Sequence, residues 1–358
     1  MAGWGESTID DPELQGELVY IRNLDWTKSE VLIRNHLMTI QIPSEIDEQP
    51  WISFGFPGLT GILSGINLSG VGAFHHMGNI GSSQVNGKPH PIFFSIRNGI
   101  ESKDYNNDGT SNTNDVFSAI EEKLTTGGFI INAVNAISNN DSAIVIEVNN
   151  EKGAVIRTID DNTLINGTII ASTNHFRKLY PPETCWRYSA LVSILNDNNS
   201  LSVERIWDVL SDAAGVSATL QTIQYIPSIG EVKWATATQD VTSYLQEPFI
   251  FNINDYLTTD IENNKEKSEN KAPYPNPFAE FVNITLNMDV PQTVSLKIFS
   301  EEGVMVGNMN GIRVSKGENI IRWNAVGLPS GRYYCYVYNG GSKKKISKQS
   351  PVKLILIK

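Results

Sequence analysis

The run DYNNDGTSNTND at 104–115 is the part of this 358-residue sequence whose residue types and spacing most plainly could do chemistry. Asp104, Asn106, Asp108, Asn112 and Asp115 fall at positions 1, 3, 5, 9 and 12, Gly109 falls at position 6, and Thr110 at position 7 would offer its carbonyl. A hard cation such as calcium gathers oxygens at this spacing, and the glycine permits the sharp turn between them. The plainer alternative is a polar Asn/Asp-rich surface loop. Other reactive types are sparse. His75-His76 lacks the i, i+4 spacing and glutamate of a zinc protease and reads as a strand-end pair. Cys185 and Cys335 lie far apart, in what read as different domains, which argues against a disulfide framework and a thiolate zinc site. Arg22 with Asp25, Asn67, and Asn174-His175 have, taken singly, ordinary readings as a salt bridge, a turn residue and a loop hydrogen-bonding pair.

These residues must be held by elements, and the composition is that of a globular chain: 40% hydrophobic, 19% charged. The net charge of -11 argues against a nucleic-acid partner. It is unevenly spread, with 11 basic against 5 acidic residues from Pro273 onward and 17 against 34 before it. No apolar run is long enough to span a bilayer, and no signal peptide is visible, which leaves a cytosolic, a processed or a shortened chain open. The polar stretch 259–272 reads as a linker between a domain at 1–258 and a second at 273–358.

In the first domain we expect strands over 17–24, 29–42, 61–74, 92–97, 142–148, 153–159 and 167–173, and helices over 115–124 and 202–213. Many antiparallel strands with few helices indicate a layered α+β class. After Pro273, alternating runs at 282–288, 293–300, 319–325, 332–339 and 352–358, punctuated by glycines, predict a small antiparallel β-sandwich.

Five anchors in order then carry a family resemblance: Ala2-Gly3-Trp4-Gly5, Arg22-Asn23-Leu24-Asp25-Trp26, GILSGINLSG at 61–70, Ser172-Thr173-Asn174-His175-Phe176, and Arg187-Tyr188. The first domain resembles the penicillin acyltransferase-like amidohydrolases, N-terminal-nucleophile hydrolases related to choloylglycine hydrolase. The resemblance implies a four-layer αββα fold and cleavage of a small linear amide by an N-terminal cysteine. The free α-amine of that cysteine, with a reference pKa near 8, takes the thiol proton. By resemblance Arg22 favours the thiolate, Asp25 holds the terminal amine, Asn67 and Asn174 serve as oxyanion and substrate-orienting amides, and Arg187 supports the site charge. Arg22 and Asp25 are three apart, so on a strand a bend or bulge must bring them together. The family cysteine precedes the Ala-Trp-Gly segment, so its place falls upstream of Met1. Cys185 and Cys335 do not replace it, and Ser7 or Thr8 would act only after removal of the residues before them. We therefore expect a longer reading frame with a cysteine upstream, and an inactive chain when it starts at Met1.

The 104–115 loop is similar to the dockerin form of the calcium motif, as a single loop in a structural role; no organic cofactor is called for. The tail resembles a type A sorting domain of type IX secretion substrates, through Tyr274-Pro275-Asn276-Pro277-Phe278, SLKIFSEEGVMV at 295–306, Gly317-Glu318-Asn319, LPSGRY at 328–333 and the lysines 343–345 and 348. That implies the type IX machinery as a partner, and a secreted or surface location on a Gram-negative bacterium. The rivals to a secreted amidohydrolase or acyltransferase are a catalytically inactive binding module and a surface adhesion protein.

Overall fold

A computed structural model of the chain describes residues 1–82, 84–136, 142–214, 216, 218–257, 273–288, 290–301, 304–339 and 352–357. The chain divides into two compact units, Met1–Thr259 and Asp260–Lys358. The expected linker at 259–272 and the lysines 343–345 and 348 lie outside the described residues.

The first unit opens with β1 (Ala2–Gly3), β2 (Val19–Asp25), α1 (Glu30–Arg34), β3 (Leu37–Gln41), β4 (Trp51–Gly55), β5 (Ser64–Asn67) and β6 (Gly72–Met77). Then come α2 (Ile92–Glu101), α3 (Thr113–Glu121), β7 (Gly128–Val134), β8 (Ala143–Asn149), β9 (Gly153–Arg157) and β10 (Ile169–Ile170). It closes with α4 (Trp186–Asp197), α5 (Val203–Ala214), β11 (Thr219–Ile226), β12 (Glu231–Thr236), β13 (Phe249–Asn252) and α6 (Asn254–Leu257). One antiparallel sheet runs β10-β1-β2-β11-β12-β13, and the other runs β3-β4-β5-β6-β7-β8-β9.

Strand alternation gives each sheet two apolar faces, and each face has a partner. Tyr20, Ile223 and Tyr225 of the first sheet meet Phe54, Ile66, Phe74 and Val145 of the second in the central core. Val19 and Ile21 turn the other way, against Tyr188, Leu191 and Leu195 of α4 and Ile206 and Leu210 of α5. On the far side, Ala73, Ile131 and Ile146 pack on Ile92, Ile96 and Ile100 of α2 and on Val116 and Ile120 of α3. The layers are thus helix, sheet, sheet, helix, the architecture expected from the sequence.

Three of the expected segments take another form, and β4, β7, α4, β11, β12 and β13 fall where no element was expected. Residues 92–97 form the start of a helix: Ile92, Ile96 and Ile100 recur at helical spacing and bury one face. Residues 29–42 are divided, because Ser29 caps α1 by accepting from the Leu32 N–H at 3.2 Å, and β3 follows. The long run 61–74 is a hairpin, turning at Gly70 with φ +85°.

The second unit comprises β14 (Phe281–Met288), β15 (Gln292–Ser300), β16 (Met305–Val314), β17 (Gly317–Asn324), β18 (Gly331–Asn339) and β19 (Val352–Leu356). Its sheets, β14-β17 and β16-β15-β18-β19, enclose a core that includes Val282, Leu296, Trp323, Cys335 and Leu354. This is the expected small antiparallel sandwich, with β16 added.

Candidate active site

Tyr20 of β2 stacks on Phe74 of β6 with ring centroids 4.2 Å apart, within the core between the two sheets. Side chains two residues further along each strand share the same inner faces, and these are Arg22 and His76. Arg22 is 2% exposed. Its guanidinium donates to Ser64 Oγ and, at 2.6 Å, to the His75 carbonyl, while its Nε has no partner. Among the described residues no carboxylate lies within ion-pair distance of it. Burial lowers its pKa to about 10, and Tyr20 and Asp25 oppose that shift.

Asp25 ends the same strand. Opposite it, β11 is irregular: Thr219 pairs with Asp25 but Gln221 with Leu24, so Leu220 is bulged. The Thr219 hydroxyl donates to Asp25 Oδ1 at 2.7 Å, and Arg187 Nη1 donates to Oδ2 at 2.8 Å. Burial raises the Asp25 carboxyl above the usual range, against the hydrogen bond from Thr219 and the charge of Arg187. Arg187 lies in the first turn of α4, where a cation meets the positive end of the helix dipole, and the Asp25 carboxylate offsets that cost. Its Nη2 reaches Asn174 Oδ1 at 2.5 Å, and Asn174 Nδ2 donates to the Met77 carbonyl at 2.8 Å. Strand β2, helix α4, the segment after β10 and the end of β6 therefore converge on one group of side chains.

Beside this group lies a cavity of about 390 Å³. Leu32, Phe56, Leu59, Leu63, Phe93, Leu191 and Leu210 form its apolar walls; Arg22, Asn23, Asp25, His76, Asn174 and Arg187 supply its polar part. His75 lines it too, between Phe93 at 4.8 Å and Phe129 at 5.3 Å, and burial followed by the Arg22 charge lowers its pKa to about 3. His76 is also held well below the ordinary imidazole value, first by burial and then by Arg22.

Four of the five residues named from sequence, Arg22, Asp25, Asn174 and Arg187, line this cavity. Asn67 does not, which corrects the expectation for it. Its Nδ2 donates to the Ile100 carbonyl at 3.1 Å and to Ser111 Oγ at 3.3 Å, and its Oδ1 accepts from the Val71 N–H at 2.9 Å. It closes the β5–β6 turn and ties it to the end of α2, leaving no amide for an oxyanion. Sequence reasoning passed over His76 as a chemical group, and it missed Thr219, which no motif marks. Cys185 caps α4 inside the outer core and does not line the cavity.

Arg157 and Glu147, 2% and 0% exposed, form an ion pair at 3.3 Å, and Arg157 also donates to the Ala171 carbonyl at 2.7 Å. The Glu147 carboxylate accepts from the N–H groups of Arg177, Lys178 and Leu179. The segment that carries Asn174 is thus fastened on both sides of that residue.

The 104–115 loop is organised around α3. Asp115 is fully buried as the N3 residue of a capping box, accepting from the Tyr105, Asn106 and Asn112 N–H groups at 2.7, 3.1 and 2.8 Å. Burial raises its carboxyl. Asp104 accepts from the Asp108 and Gly109 N–H groups. Asp108 accepts from the Asn112, Asn106 and Thr110 side chains, which pull its pKa down to about 2. Among the described residues no cluster of three or more His, Cys, Asp or Glu side chains is arranged for a metal. Asp115 caps the helix from the end of the loop, and the expected calcium set, Asp104, Asn106, Asp108, Thr110, Asn112 and Asp115, lies along this one turn.

Several solved structures are similar to the chain. A Caenorhabditis elegans ortholog of N-acylethanolamine-hydrolyzing acid amidase shares 16% identity and a TM-score of 0.44, over 66% of this chain and 95% of its own. A C2A mutant of conjugated bile acid hydrolase from Clostridium perfringens shares 12% and 0.40, over 67% and 89%. Penicillin V acylase from Agrobacterium tumefaciens shares 10% and 0.43, over 66% and 83%. Likeness at this level assigns no activity. No curated protein matches the sequence. Residues 272–350 match the family described as the secretion system C-terminal sorting domain. No helix among the described residues is long and apolar enough to cross a membrane. The chain thus carries a secretion system C-terminal sorting domain behind its layered αββα unit.

Proposed function

We propose that the first unit is an amidohydrolase or acyltransferase that cleaves a small linear amide through an N-terminal cysteine carried on residues upstream of Met1. The observation that carries this reading is the convergence of Asp25, Arg187 and Asn174 beside an apolar cavity, at the edge of β2 that β1 continues toward. Ala2 pairs with Tyr20, and Met1 N donates to the Ile21 carbonyl at 2.9 Å. In that antiparallel register, residues preceding Met1 would fall opposite Arg22 to Asp25. An α-amine there would lie near the Asp25 carboxylate, and a thiolate near the Arg22 charge. The thiolate attacks the amide carbon, the amine passes its proton to the leaving nitrogen, and water or a second amine releases the acyl group.

For the second unit, the sorting-domain match supports export by the type IX machinery and delivery to the cell surface or medium. The test of the catalytic reading is expression of the extended frame, mass measurement of its mature N-terminus, and a screen of N-acyl amides for amine release. Turnover that disappears when the upstream cysteine becomes alanine supports the reading. A frame that places no cysteine in that register overturns it and leaves a binding module of the same fold.

A further inference from the structure

Each strand of the sheet β16-β15-β18-β19 carries one basic residue, in that order Arg313, Lys297, Arg332 and Lys353, and none of the four strands holds an Asp or Glu. All four cations stand on the outer face, because their neighbours Val314, Ile298, Tyr333 and Leu354 fill the sandwich core. Arg313 and Lys353 are exposed, and Arg332 pairs at 3.0 Å with Glu301, just beyond β15.

The same face is aromatic. Along β18, Tyr333, Cys335 and Val337 point inward, so Tyr334, Tyr336 and Tyr338 form a half-buried row on the outside. On β15, Phe299 and Lys297 lie across from Tyr334 and Tyr336. Phe299 meets Tyr336 edge-on with ring centroids 5.6 Å apart, and the Lys297 ammonium lies 4.8 Å from the centre of the Tyr338 ring. Aromatic rings held in a row at a surface, with charge of one sign among them, mark an interaction site.

We propose that this face binds an acidic polysaccharide, a chain of pyranose rings that bear carboxylates. A sugar ring has a side of C–H groups that lies flat on an aromatic ring while its hydroxyls stay hydrated, and the tyrosine hydroxyls offer them hydrogen bonds. Carboxylates along the chain meet Lys297, Arg313 and Lys353, and this charge complementarity selects an acidic chain over a neutral one. From Tyr334 to Tyr338 the row runs about 13 Å along the strand, which suits an extended polymer better than a small molecule. Export, which the sorting-domain match supports, brings the face outside the cell, where such chains occur. Binding here is independent of amide cleavage by the first unit.

Calorimetric titration of the full chain with polygalacturonate, and with its methyl ester as the uncharged chain of the same backbone, tests this. The acid should bind saturably and about fivefold more tightly than the ester, with the gap narrowing as salt is raised. Tyr336→Thr, which keeps a strand-favouring residue, should weaken both chains by about fivefold. Lys353→Gln should weaken the acid by about threefold and leave the ester unchanged. Arg322→Gln removes an exposed charge from β17, in the other sheet, and should change neither. Circular dichroism melts of each variant separate lost recognition from lost folding. No binding, equal affinity for acid and ester, wild-type binding by Tyr336→Thr, or a loss in Arg322→Gln equal to that in Lys353→Gln would each overturn the proposal. Tighter binding of oligothymidylate than of polygalacturonate would overturn it too, and would assign the face to single-stranded nucleic acid.

Discussion

The Arg187 guanidinium donates to the Asp25 carboxylate at 2.8 Å, joining residues 162 positions apart in sequence. Both side chains are about three-quarters buried, at 21% and 24% exposure, so the pair is shielded from the screening that makes surface ion pairs weak. Asp25→Ala should cost about 1–3 kcal/mol, and a double-mutant cycle with Arg187→Ala should show a coupling of about 1 kcal/mol or more in urea denaturation. A coupling near zero would mean that each residue is held independently.

The buried histidines set an acid limit on stability. The His75 pKa is lowered to about 3, against an unfolded value near 6.5, so its contribution is fully present above about 6.5 and is lost as pH falls from there toward 3. One proton taken up on unfolding costs about 1.4 kcal/mol per pH unit. His75→Phe, placed between Phe93 and Phe129, should therefore lose about 2 kcal/mol less than wild type between pH 7 and 5. Equal losses would show that His75 already titrates in the folded chain.

Glu147 is expected to be among the least replaceable side chains outside the cavity. Glu147→Gln keeps the shape but leaves Arg157 as a buried unpaired cation, at a cost of about 3–5 kcal/mol. Hydrogen exchange should report the break as faster exchange at Arg177, Lys178 and Leu179 than elsewhere in the unit. Uniform acceleration would indicate global destabilisation alone.

The loop before α3 should hold without a cation. Chelation is expected to leave the melting temperature unchanged, whereas Asp115→Ala should lower stability by about 2 kcal/mol through loss of the cap. A calcium-dependent rise that Asp104→Ala abolishes would show that the loop can rearrange into a coordinating form.

Much of this fold could be read from the sequence, because each element expected correctly carries its own periodicity. Helices α3 and α5 show apolar stripes at helical spacing, and β8, β14 and β15 consist of short β-branched runs. The segment at 92–97 misled because Ile92, Phe93, Phe94 and Ile96 crowd together; Ile100 completes the helical stripe just beyond that window. Helix α4, whose apolar positions form no strong stripe, escaped notice. For the site, Arg22, Asp25, Asn174 and Arg187 stood out because motifs contain them. Thr219 was hidden since it acts through a bulge in a strand far along the chain, and Asn67 misled because its motif describes a turn equally well.

The Tyr20–Phe74 stack has a further consequence. Two flat rings act as a shim between the sheets, directly beneath the chamber and outside its lining. Exchanging them for slimmer or bulkier side chains would change the headroom above Arg22 and His76 without altering any group that meets a ligand. The shape of the chamber is then adjustable from below, and a designer seeking to change it would start at positions 20 and 74 before touching its walls.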